Sequence, residues 1–205
     1  MRRILPAFAW ILLCAAPAAA EPLLLSAAQL AERLNDPKLV LLHVGEKSSY
    51  DAAHIAGARF ADVRASLHMR AGDLTLQMLP ADLLRERLAA LGISDDSHVV
   101  VYQSDDWFSP ATRLMLTLHY AGLERVSLLD GGLPAWVREK RPVTADVPAP
   151  RAGALSPLTL RPVVVDGAFV QANVGKPGVA VVDARTAAFY SGAQTGGNQA
   201  VPHKT

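Results

Sequence analysis

VVVYQSDDWFSPATRL, Val99 to Leu114, decides how the chain is read. It opens as a continuous apolar run, passes through a polar loop at Gln103–Ser109, and enters a helix at Ser109-Pro110. An apolar run without alternation reads as a strand buried on both faces. Proline is tolerated in the first turn of a helix, so Ser109-Pro110 marks a start, and ATRLMLTLHYAG runs on to a stop at Gly122. The same strand-then-helix unit recurs on either side. Leu39–Val44 (LVLLHV), His98–Tyr102 (HVVVY) and Arg125–Leu129 (RVSLL) are the strands. Ser26 caps a helix through AAQLAERL, Pro80 starts LLRERLAALG ahead of Gly92, and LPAWVREK follows the turn Asp130-Gly131-Gly132. These elements predict an α/β fold, a parallel sheet with helices on both faces and right-handed crossovers. Ligands of such sheets bind beyond the carboxyl ends of the strands, where the Gln103–Ser109 loop lies.

The chain has 205 residues and a formal net charge of +1, and 51% of it is hydrophobic. That supports a substantial core in one large domain, or one and a half ordinary ones. No cluster of Lys or Arg follows the first three residues, which argues against a nucleic-acid surface. Met1-Arg2-Arg3, the apolar run Ile4–Pro17 and the small residues Ala18-Ala19-Ala20 have the order of a secretory signal peptide cleaved before Glu21. A periplasmic or secreted protein with no stable membrane anchor after cleavage is the expectation. The single cysteine, Cys14, lies inside that apolar run, and Leu13 before it is too large for a lipidation signal. After cleavage no thiol nucleophile, disulfide or thiolate ligand is left. No pattern in the chain calls for a metal or an organic cofactor.

Composition shifts at Arg141–Pro162, where five prolines sit among Ala, Gly and Arg; residues 142–162 read as a semi-rigid linker after a domain at 21–141. The pattern then restarts. A helix is expected at Asp166–Val174 and a strand at Val179–Val182, before the Gly-rich SGAQTGGNQAVPHKT. LVLLHVGEKSSYDAAHIAGA and VAVVDARTAAFYSGAQTGGN share one plan, the mark of a repeat. With one strand and no covering layers, residues 163–205 read as an incomplete second unit, loosely docked.

Tyr50-Asp51-Ala52-Ala53-His54-Ile55-Ala56-Gly57-Ala58 resembles the rhodanese motif, with Ala56 in place of its usual proline. Leu128-Leu129-Asp130-Gly131-Gly132-Leu133-Pro134-Ala135-Trp136 resembles that family's closing strand, glycine turn and Trp-bearing helix. The resemblance covers about Leu24 to Arg141. Val182-Asp183-Ala184-Arg185 onward is similar to the start of a second rhodanese domain, broken off at Thr205. It implies a tandem sulfurtransferase acting on thiosulfate or 3-mercaptopyruvate, in which a Cys of the second domain carries sulfur as a persulfide. The loop Gln103, Ser104, Asp105, Asp106, Trp107, Phe108, Ser109 then corresponds to an active-site loop whose nucleophile position falls at about Gln103. An amide can neither ionise nor carry a persulfide, and Asp105 and Asp106 bring negative charge where an anion would be held. Sulfur transfer by this loop is therefore not expected. A small sulfur anion such as thiosulfate or sulfite remains a possible ligand, and a non-catalytic anion- or partner-binding module is the alternative reading. Arg185 matches an Asp-x-Arg of structural role, while Phe189 stands where some members hold a substrate-binding Arg.

His54 reads as a structural hydrogen-bonding residue before Gly57, and His43 as a satisfied core or boundary residue. His68, His98 and His119 have no metal-ligand spacing. Asp105-Asp106 reads as solvated charge or a helix N-terminal stabiliser. Trp107 and Phe108 are expected to pack over the loop or against a partner domain. Asp130-Gly131-Gly132 lacks the Lys and spacing of a phosphate loop and reads as a turn.

Overall fold

The computed structural model describes residues 21–72 and 74–194. The signal-peptide reading, Cys14 and the end of the Gly-rich tail fall outside the described residues. In chain order the elements are β1 (Leu24–Leu25), α1 (Ala27–Ala31), β2 (Leu39–Val44), α2 (Lys47–Ala52), β3 (Arg59–Phe60), α3 (Val63–Ser66), β4 (His68–Ala71), β5 (Leu74–Met78), α4 (Ala81–Ala90), β6 (His98–Gln103), α5 (Ser109–Tyr120), β7 (Val126–Leu129), α6 (Gly132–Arg138), α7 (Gly167–Asn173) and α8 (Ala187–Tyr190). Two compact units result, one ending at Arg161 and one starting at Pro162.

The first unit holds a five-stranded parallel sheet in the order β1-β7-β6-β2-β3. β6 pairs along its whole length with β2 and on its other edge with β7. All six of its residues are buried. Val99 and Val101 enter one core with Leu84 and Leu88 of α4 and Leu114 and Leu118 of α5. Val100 and Tyr102 enter another with Leu30 of α1 and Leu133 and Trp136 of α6. Alternate side chains of a strand point to opposite faces, so an unbroken apolar strand needs helices on both. α1 has a complete capping box between Ser26 and Gln29 but stops at Ala31, short of the expected AAQLAERL. The short strands β1 and β3 and the β4–β5 hairpin carry too few residues for a periodic signal, and the sequence pattern missed them.

The Pro-rich stretch differs from a free spacer. Its segment up to Arg161 is a strap bound to the first unit. Thr144 pairs with His54 through reciprocal backbone bonds of 2.8 Å, Gly153 N–H donates to the Ala89 carbonyl, and Arg161 N–H donates to that of Tyr120. Ser156 binds the Asp95 carboxylate through both its N–H and its hydroxyl. Leu155 is only 8% exposed and belongs to the core over α4 and α5. Prolines permit an extended path, and the apolar residues between them anchor it.

In the second unit, α7 is capped by Asp166, whose carboxylate accepts the Phe169 N–H. Asp183 and Arg185 form an ion pair and a local turn. Val179–Val182 does not form the expected strand. An apolar run becomes a strand only when another backbone pairs with it, and none among the described residues does.

His43, fully buried in β2, has its Nδ1 3.1 Å from the Tyr102 hydroxyl, which in turn accepts the Ile55 N–H. Nδ1 and the hydroxyl share one hydrogen bond, and Nε2 has no partner among the described residues. One nitrogen is satisfied and one is not, a partial departure from the expected satisfied histidine. Burial, followed by the charge of His54, lowers the His43 pKa to about 4.

Leu155→Ala should cost about 2–4 kcal/mol in urea denaturation if the strap belongs to the core, whereas a surface position would lose under ~0.5. His43 binds its proton less readily folded than unfolded. Stability should therefore be unaffected by it above about pH 6.5 and fall as pH drops toward about 4. NMR of the His43 ring should show no titration down to about pH 5.

Candidate functional site

The loop after β6 leaves the sheet at its carboxyl edge. Gln103 is the last residue of β6 and is 7% exposed, with its Oε1 buried and unpartnered. Its side chain and carbonyl lie against Gly132, where an added Cβ would come within 2.6–2.8 Å of them. Gly131 and Gly132 both have positive φ, 69° and 55°, so Asp130-Gly131-Gly132 is a turn that lets α6 start tight against Gln103. Ser104 donates its N–H to the Val44 carbonyl at 3.0 Å, and its hydroxyl is buried, unpartnered and against Gly45. Gln103 thus lies under the surface, at the junction of β2, β6 and α6.

Beyond it the loop turns outward. The Asp105 carboxylate accepts the Trp107 N–H at 2.8 Å. Asp106 and Ser109 are exposed, and Phe108 is the N-cap of α5 without a side-chain cap bond. A backbone N–H beside a helix start is the group that would meet a bound anion. Here the chain's own carboxylate takes it. Trp107 and Phe108 are 66% and 61% exposed, so neither packs over the loop as expected.

A cleft of about 380 Å³ opens beside this loop, lined by Val44, Glu46, Lys47, Phe60, Asp62, Arg64, Asp105 and Trp107 among others. It lies beyond the carboxyl ends of β2 and β3, where ligands of parallel sheets bind. Its charge is mixed. Lys47 pairs with Asp51, and the Asp62 carboxylate is spent on the Ala65 N–H at the start of α3. Among the described residues no cluster of His, Cys, Asp and Glu is arranged to hold a metal.

The Tyr50–Ala58 motif supports this edge. The Tyr50 hydroxyl donates to the Ala58 carbonyl at 2.9 Å, and its ring stacks on His54 at 4.0 Å. His54 is buried, with Nδ1 2.7 Å from the Tyr50 carbonyl and Nε2 3.1 Å from the Asp146 carbonyl in the strap. Gly57 turns the chain at φ 80°, back into β3. Trp136 is buried and donates its indole N–H to the Pro142 carbonyl. Asp183 and Arg185 lie in the second unit. His68 makes contacts the sequence pattern missed. Its Nδ1 donates to the Val63 carbonyl and its Nε2 accepts Arg113 Nε–H, which ties the β4–β5 hairpin to α5.

The Rhodanese-like domain family matches residues 26–139. A probable 3-mercaptopyruvate sulfurtransferase of Pseudomonas aeruginosa is 36% identical over 82% of this chain and 63% of its own length. A thiosulfate sulfurtransferase of Azotobacter vinelandii is 30% identical over 85% of this chain and 64% of its own. The chain thus spans about three-fifths of the length of the curated relatives it matches. The crystal structure of SseA from Escherichia coli, described as a 3-mercaptopyruvate sulfotransferase with the rhodanese fold, superimposes with a TM-score of 0.74 at 26% identity, over 82% of this chain and 68% of that one. With a parallel sheet covered on both faces and residues 26–139 matching it, this chain belongs to the Rhodanese-like domain family.

Proposed function

We propose that residues 26–139 form a non-catalytic rhodanese domain, one that helps shape a site for thiosulfate or 3-mercaptopyruvate but forms no persulfide itself. The observation that carries this reading is Gln103, buried at the end of β6 where the family's nucleophile would stand. Sulfur transfer needs a thiolate that attacks a sulfane sulfur and then holds it as a persulfide anion, stabilised by backbone N–H groups. A carboxamide offers no such nucleophile, and the Asp105 carboxylate occupies the Trp107 N–H and repels an incoming anion. The sulfurtransferase names of the relatives support the substrate class.

A second reading, a partner-binding module, is favoured by Trp107 and Phe108, two aromatic rings held in solvent on one loop. The two readings are compatible, since a non-catalytic domain acts through what it binds. The proposal also includes export, supported by the basic start, the apolar run and the three alanines before Glu21.

The full chain should convert no thiosulfate and cyanide to thiocyanate above the buffer rate; turnover would overturn the proposal. Gln103→Cys should remain without a persulfide after thiosulfate treatment, read as the mass of one added sulfur. Loading of that variant would show an intact anion cradle lacking only its nucleophile. N-terminal sequencing of the protein recovered from its host should begin at Glu21, and a start at Met1 would remove the export reading.

A further inference from the structure

At the amino ends of β2 and β6, away from the Gln103 loop, the strap and the sheet enclose a second pocket of about 490 Å³. Its lining includes Lys38, Arg59 and Arg151 against a single carboxylate, Asp96, which is paired with Lys38 at 3.1 Å. Neither Arg59 nor Arg151 has a carboxylate within ion-pair reach among the described residues.

The fold holds the Arg59 side chain against the Arg151 backbone. Arg59 leaves β3 and donates from Nη1 to the Arg151 carbonyl at 2.5 Å. It can do so because Gly92 follows α4, at φ 88°: a Cβ there would stand 2.0 Å from Arg59 Nη1 and 3.0 Å from the Arg151 carbonyl oxygen. Gly153 lets the strap press onto Ile93, whose carbonyl oxygen would meet an added Cβ at 2.1 Å. The strap is fastened just past Arg151, by Gly153 N–H to the Ala89 carbonyl and by Ala154 N–H to the Ser94 hydroxyl. Burial and then the Arg151 charge hold the Arg59 guanidinium below its usual range. Three cationic side chains around one pocket, with Asp96 the single carboxylate of its lining, favour an anion from outside. Guanidinium forks suit oxyanions, since several N–H groups can bind two oxygens at once.

We infer that the pocket between the strap and the amino ends of β2 and β6 is a binding site for a small tetrahedral dianion, a phosphate or sulfate group, held by Arg59, Arg151 and Lys38. The site is separate from the Gln103 loop and does not depend on the sulfur-transfer reading. A dianion there would bridge the sheet to the strap and stiffen the segment that leads out of the first unit.

Calorimetry of the full chain tests this with inorganic phosphate, sulfate and glycerol 3-phosphate at constant ionic strength in chloride. Arg151→Gln removes a guanidinium but keeps the carbonyl that anchors Arg59, so its fold should persist. The expected result is dianion binding that Arg151→Gln and Lys38→Gln each weaken about tenfold, while Arg87→Gln, exposed on α4 and outside the pocket, leaves it unchanged. NMR should show the Gly92 and Gly153 amides moving on titration. Tighter binding of glycerol 3-phosphate than of phosphate would assign the anion to an organic ester; equal affinity would assign the inorganic ion. The inference is overturned if no dianion binds above chloride, if Arg151→Gln binds like the parent, or if shifts are confined to residues 104–108. None of these results bears on whether Gln103 blocks sulfur transfer.

Discussion

The structure depends on β6 being buried on both faces and paired on both edges. Six consecutive residues from His98 to Gln103 have no side open to water. Val99 and Val101 require α4 and α5 on one side, and Val100 and Tyr102 require α1 and α6 on the other. Once both layers are in place, the residue that ends the strand is set at the carboxyl edge of the sheet, beneath the start of α5. The architecture therefore fixes the place of residue 103 whichever side chain stands there, and fold and chemistry separate at this point.

The side chains at that edge close the position. Gln103 fills the space against Gly132, Ser104 fits against Gly45, and Asp105 satisfies the Trp107 N–H. Each replaces something an anion-handling loop needs: a nucleophile, room above it and free donors. The loop's apolar groups face outward instead, as Trp107 and Phe108 in solvent. On the proposed reading, a scaffold with residue 103 packed and its aromatic loop exposed is suited to shaping a site or meeting a partner.

The strap adds a constraint at the other end of the molecule. Leu155 gives it a place in the core, and His54 joins it to the Tyr50–Ala58 turn through the Asp146 carbonyl. The same docking brings Arg151 to Arg59 over Gly92, so the segment that completes the first unit also places two unpaired cations in one pocket. The motif histidine, the glycine after α4 and the strap act as one joint between the sheet and the chain beyond it.

The sequence by itself was enough for the strand–helix alternation, the three long strands, the glycine turn before Trp136 and the family. These follow from local patterns: unbroken apolar runs, caps, glycine stops and residue chemistry at a motif position. Local pattern misled where an outcome depended on partners distant in the chain. Val179–Val182 reads as a strand, but a strand needs a neighbouring backbone. Arg141–Pro162 reads as a spacer, but its leucines find a core built by α4 and α5. Trp107 and Phe108 read as rings packed over the loop or against a partner domain, and among the described residues they stand in solvent. The unpartnered nitrogen of His43 and the meeting of Arg59 with Arg151 have no local signature, because each joins segments many residues apart. Local sequence sets what each segment prefers, and burial and pairing across the chain decide which preferences are met.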